Sequence, residues 1–150
     1  MVGVSGLAIT LDQNCAMYSV TFRHDVNLLD IVWATQFTPE TAADYARDVL
    51  RRFVMERFKP GYLLRMDMTA SPVQSQAGAA VIHEQLRGFP RASAIAIVTP
   101  SAITRMQVCR LMTQPYLRVF DTAGPALEWL LKGAADTEAR PVSAHAAIAL

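Results

Sequence analysis

Ala94-Ile95-Ala96-Ile97-Val98, followed at once by Thr99-Pro100-Ser101, is the stretch that decides how this chain folds. A short, continuous apolar run bounded by turn residues reads as a strand covered on both faces. Thr99-Pro100-Ser101 then opens a helix, since small hydroxyl residues cap helix starts and proline suits the first turn. A doubly covered strand that runs straight into a helix is the building unit of a parallel α/β sheet.

Working outward, the same alternation recurs on both sides. Upstream, Tyr62-Leu63-Leu64-Arg65-Met66 is a short apolar strand. It leads to Ser71-Pro72-Val73-Gln74, a capping-box pattern with Ser71 as cap, and to a helix through Val81 and Leu86 to about Gly88. Earlier still, Thr38-Pro39-Glu40 starts a helix whose Ala42, Ala46, Val49, Leu50 and Phe53 share one face, and Pro60-Gly61 ends it. Tyr18, Val20 and Phe22 alternate with polar neighbours, and Leu28 to Phe37 is β-rich, so the two segments read as a hairpin turning at His24-Asp25-Val26-Asn27. Downstream, a helix runs past Met106, Cys109 and Met112, with Cys109 and Met106 on its apolar stripe. Leu117-Arg118-Val119-Phe120 is the last strand, and Thr122 to Lys132 the last helix, stopped by Gly133. The expected fold is therefore α/β: an N-terminal hairpin, then alternating helices and strands in a mixed, largely parallel sheet. Residues 1–133 read as one domain and 134–150 as an Ala-rich tail. Leu7, Ile9 and Leu11 allow a further short strand near the start.

At 150 residues the chain suits a single domain. Such a chain buries roughly 70% of its unfolded surface, so no metal or disulfide staple is needed. With 14 basic and 13 acidic residues it lacks the basic surface that nucleic acid requires. Near-neutrality also removes one barrier to self-association, so a homodimer is consistent with the composition. Cys15 and Cys109 show no metal or redox spacing. No basic residue precedes the first apolar stretch, as a signal peptide would require, and no apolar run approaches the ~20 residues of a membrane span. A reduced cytoplasm is the expected compartment.

The order of elements resembles that of the STAS domains, typified by anti-sigma-factor antagonists, and more closely the small SpoIIAA-like proteins grouped with them. The resemblance covers roughly Tyr18 to Lys132. It is carried by Leu63-Leu64-Arg65-Met66-Asp67, by Ala94 to Val98 with Thr99-Pro100-Ser101-Ala102, by Arg105-Met106-Gln107 with Arg110, and by Arg118-Val119-Phe120 leading to Ala126-Leu127-Glu128-Trp129-Leu130. It implies a mixed sheet flanked by helices and a non-catalytic regulatory or protein-interaction module. The partner, a protein the residues do not identify, would meet the strand-to-helix region around residues 69–76. In STAS antagonists an Asp-Ser-Ser-Gly motif carries the serine that a partner kinase phosphorylates. Here the matching stretch is Gln74-Ser75-Gln76-Ala77, so Ser75 stands at the phospho-acceptor position while the Asp, the second Ser and the Gly are replaced. The wider superfamily includes the CRAL-TRIO lipid-binding domains. That kinship, with the apolar composition, implies the alternative of a carrier for a small apolar molecule or lipid.

The residues themselves point to one polar ledge. Asp67, Thr69 and Ser71 follow one strand, and Thr99 and Ser101 follow another that is expected beside it. Ligands in open α/β sheets bind beyond the carboxyl ends of strands, where helix starts offer backbone N–H groups. The competing reading is two independent helix caps. No catalytic constellation is visible. His83 and Glu84 are adjacent on a helix and face apart, and His24, His83 and His145 lack ligand spacing. There is no phosphate loop or nucleophile elbow, so neither an enzyme nor a cofactor or metal is expected. The methionines Met55, Met66, Met68, Met106 and Met112 read as core filler.

Overall fold

Parallel pairing in single steps organises the whole molecule. The computed structural model describes residues 17–139. Strands β1 (Tyr18–Arg23), β2 (Leu28–Trp33), β3 (Leu63–Asp67), β4 (Ala94–Val98) and β5 (Leu117–Phe120) form one sheet in the order β1-β2-β3-β4-β5. β1 and β2 make the antiparallel hairpin, whose turn places Asn27 at a φ of 54°, a conformation asparagine tolerates better than most residues. The remaining pairs are parallel. The crossovers are helices α1 (Pro39–Met55), α2 (Gln76–Gln85) and α3 (Ala102–Leu111), and α4 (Ala123–Ala139) follows β5.

Each crossover moves one place along the sheet in the same direction. Right-handed connections of that kind put α1, α2 and α3 on one face. Strand alternation agrees: Leu29, Ile31, Trp33, Leu64, Met66, Ile95 and Ile97 point to that face and join Tyr45, Val49 and Phe53 of α1, Ile82 of α2 and Val108 of α3. The opposite face presents Leu28, Leu63, Ala96 and Val98, which Ala126 and Leu130 of α4 cover. The burial of both faces of β4 is what its unbroken apolar run requires.

Helix α1 begins as its residues dictate. Thr38 accepts from the Thr41 backbone, Thr41 returns a bond to the Thr38 backbone, and Pro39 and Glu40 occupy the first turn. Elsewhere the structure corrects the sequence reading. β2 stops at Trp33, and Phe37 is instead a buried loop side chain. α2 starts at Gln76 rather than after Ser71, and Ser75 is its cap. α4 runs on through Gly133 to Ala139, where flanking alanines supply the helix propensity that glycine lacks. Leu50 lies on the exposed flank of α1. Cys109 and Met106 are exposed, because the buried side of α3 is set by Thr104 and Val108, four residues apart, and Met106 sits between them on the opposite side. The short strand expected about Leu7 to Leu11 and much of the 134–150 tail lie outside the described residues.

Two local contacts lend themselves to direct tests. Gly78, in the first turn of α2, approaches the chain so closely that a Cβ there would collide with the Phe37 carbonyl oxygen. Because backbone cannot yield as a side-chain tip can, Gly78→Ala is expected to cost about 1–3 kcal/mol, read from urea unfolding. Asp48 of α1 accepts a 2.6 Å bond from the Tyr18 hydroxyl on β1 and pairs with Arg51 and Arg52. Burial alone would raise its pKa, but Tyr18 and the two guanidiniums together hold it below the usual carboxylate range. The stability this contributes is complete above the unfolded value of about 4 and is lost as pH falls through the lower folded value. Asp48→Asn should therefore lower the melting temperature at pH 7 by a margin that shrinks as the pH falls below the ordinary aspartate value of about 4.

Candidate functional site

The end of the sheet where β3 and β4 exit carries the segment 68–75, and its anchorage is built around one residue. Gln74 is buried. Its Oε1 accepts from the Phe37 backbone at 2.9 Å, and its Nε2 donates to the Thr35 carbonyl and the Ser71 hydroxyl, each at 2.9 Å. Ser71 donates to the same Thr35 carbonyl, Gln36 donates to the Val73 carbonyl, and Gln107 of α3 donates to the Gln74 carbonyl. The three-residue spacing of Ser71 and Gln74 thus brings the pair together, as a capping box would. Their bonds tie the segment to the loop after β2 instead, so the expectation that Ser71 caps the helix is corrected. The competing partners are distant in sequence: Thr35 and Phe37 take these side chains, and Ser75 at φ −65°, ψ 153° caps α2 instead, accepting from the Gly78 N–H at 3.0 Å.

The five ledge residues do share one end of the sheet. β3 and β4 are neighbours with Asp67 opposite Val98, and the chain beyond them stays paired through Met68 N–H to the Val98 carbonyl at 2.8 Å. Their polar atoms are largely turned inward. Asp67 Oδ1 accepts from the Thr69 backbone at 2.9 Å. Thr99 is buried, and its hydroxyl oxygen accepts from the Ser101 backbone at 3.2 Å. Ser101 in turn caps α3 by accepting from Thr104. Thr69 is exposed and Ser75 partly so. What results is a filled ledge, with Ile103 and Met106 of α3 exposed at 64% and 63% close behind the Gln107–Gln74 link.

The large concavity is elsewhere. A cavity of about 1450 Å³ lies between the helix-bearing face of the sheet and α1, α2 and α3. Leu29, Ile31, Leu64, Met66 and Ile95 form its floor, and Ala79, Ile82, Val108 and Met112 are among its walls. Four buried polar atoms in its lining have no hydrogen-bond partner: Trp33 Nε1, Tyr45 Oη, Arg91 Nη1 and Gln114 Oε1. Burial pushes the Tyr45 phenol well above its ordinary range, and the nearby Trp33 indole works against that rise without reaching hydrogen-bonding geometry. The hydroxyl therefore stays protonated at neutral pH. This cavity was missed in the sequence, where its methionines read as filler. Met66 and Met68 are indeed buried, yet they line the space, while Met55 and Met106 point outward. Among the described residues no group of three or more His, Cys, Asp and Glu could hold a metal ion, and no helix is long and apolar enough to cross a membrane.

No family model and no curated protein matches the chain. Its fold, however, is similar to that of a solved "putative anti-sigma factor antagonist" from Thermotoga maritima, with a TM-score of 0.54 over 75% of this chain and 93% of that one, at 11% identity. The likeness is one of fold: the chain has the mixed, largely parallel sheet that its order of elements implies.

The cap geometry separates a structural from a switching role for Ser75. Ser75→Ala removes the acceptor and should cost about 0.5–2 kcal/mol. Aspartate caps as well as serine does, so Ser75→Asp should stay within about 0.5 kcal/mol of the parent in chemical denaturation.

Proposed function

We propose that this protein is a non-catalytic regulatory module that binds a partner protein through the surface formed by residues 69–76 and the start of α3. The observation that carries the reading is the construction of that surface. A buried glutamine holds a loop in a fixed shape, a partly exposed serine caps the helix that follows, and two apolar side chains stand exposed beside it. Such apolar exposure next to an ordered polar loop is a common mark of interaction surfaces. The likeness in fold to a protein described as an anti-sigma factor antagonist supports a regulatory role of this kind. A phosphate on Ser75 would add about −1.5 to −2 charges at a helix N-terminus, where the dipole favours them, and would change the surface without unfolding it. A setting in the cytoplasm fits the same reading.

The test begins with affinity purification from the native cell and continues with the recovered protein in isolation. Met106→Asp and Ser75→Asp should each change its affinity by about tenfold or more, equal to about 1.4 kcal/mol, at unchanged melting temperature. Val32→Asp, on an exposed position of the other sheet face, should leave binding as it was. Indifference of a recovered partner to both α2–α3 variants would remove the proposed surface.

A second reading, a carrier for a small apolar molecule, has one observation in its favour: the cavity beneath α2 and α3.

A further inference from the structure

The cavity's size sets the question of what it holds. The cavity opens to solvent, so in the free protein water fills it and a ligand would have to displace that water. Water is a poor match for most of it. A buried water needs two to four polar partners, and the floor of Leu29, Ile31, Leu64, Met66 and Ile95 offers none through its side chains. Displacing water from apolar walls gains roughly 25 cal/mol per Å².

Polar groups occur at the two ends. Trp33 lies at the carboxyl end of β2, and Tyr45 of α1 stands against it with ring centroids 5.5 Å apart. Arg91 precedes β4 and Gln114 precedes β5, so the parallel register puts both at the opposite end of the sheet. Along β2 alone, the floor from Leu29 to Trp33 spans about 13 Å at ~3.3 Å per residue. The Arg91 end carries the charge. Arg87, also on the lining, is already paired with Glu84 at 3.0 Å, whereas Arg91 Nη1 is buried and unpartnered. A buried guanidinium N–H without a partner is best satisfied by an anionic acceptor. The Gln114 amide, at the same end of the sheet, can turn its nitrogen inward, because its two ends interchange by a half-turn.

From this the geometry points to a binding site for a long-chain carboxylate, with the acid group on Arg91 and Gln114 and the chain lying along the sheet toward Trp33 and Tyr45. The inference rests on the carrier reading and specifies its ligand. It is compatible with a partner surface on the outer side of the same helices. The volume exceeds the roughly 300–1,000 Å³ of a drug-sized pocket, so a chain of this kind fits without expansion of the fold.

The experiment uses the full chain, stripped of bound lipid by mild denaturation and refolding, and titrated with palmitate, hexadecan-1-ol and hexanoate. Palmitate is expected to bind one to one, and hexanoate far more weakly. Arg91→Gln removes a charge-assisted hydrogen bond and should weaken palmitate by about tenfold or more while sparing the alcohol. Filling the space with Ile82→Phe, or with Val108→Phe should the first variant fail to fold, should reduce both long-chain ligands. If acid and alcohol bind alike and Arg91→Gln changes neither, the carboxylate assignment is overturned while a carrier role stands. If neither long-chain ligand binds, both fall. Undiminished binding to a folded filled variant places the ligand on the outer surface and overturns the site.

Discussion

The register of four parallel-aligned strands is the constraint on which the rest of this molecule depends. With Leu28, Leu63 and Ala94 level, and each next residue turned to the other side, the sheet acquires two different faces. One, presenting Leu28, Leu63, Ala96 and Val98, is covered by a single helix through Ala126 and Leu130. The other is lined with larger side chains and receives three helices. A slip of one residue in any strand would exchange these two sets and destroy both layers together.

The two sides are held by different means. On the α4 side, Arg65 of β3 forms a largely buried ion pair with Asp30 of β2 at 2.6 Å and also donates to the Ala123 carbonyl at the start of α4. The charge of one guanidinium thus joins two strands and a helix end. Breaking such a pair by removing one partner is costly, because the other charge stays behind in a poorly solvated place. On the opposite side the helices are fixed at their ends. Gln74 and Gly78 tie the start of α2 to the loop after β2, and an aromatic cluster of Phe53, Phe58, Tyr62 and Phe89 holds the far end of α1. Anchoring at the ends allows the middle of the α2–α3 layer to stand away from the sheet, and that is where the cavity lies.

This arrangement gives the two candidate surfaces a shared scaffold. Gln74 and Gln107 line the cavity on one side and fix the 68–75 segment on the other. The polar ledge of Asp67, Thr69, Ser71, Thr99 and Ser101 is present where strand adjacency requires it, with the Asp67 carboxylate and the Ser71, Thr99 and Ser101 hydroxyls bonded to nearby backbone and the Thr69 side chain exposed. Those bonds fix the path of the chain at this end of the sheet.

Much of the architecture was legible in the chain because it rests on short-range physics. Alternation in Tyr18 to Phe22, the unbroken apolar run of β4, the Thr38-Pro39-Glu40 start of α1 and the Ser101 start of α3 report strands and helix caps directly, since those depend on neighbours a few residues away. The order of elements then leaves few ways to build the sheet. Other features turn on distant residues that compete for the same position. The Ser71–Gln74 spacing looks like a cap, yet Thr35 and Phe37 claim those side chains. Cys109 and Met106 look like a stripe, yet Thr104 and Val108 face inward. The methionines that satisfy a hydrophobic pattern could equally fill a core or line a cavity, because apolar periodicity records which way a side chain points and carries no information about whether anything meets it there.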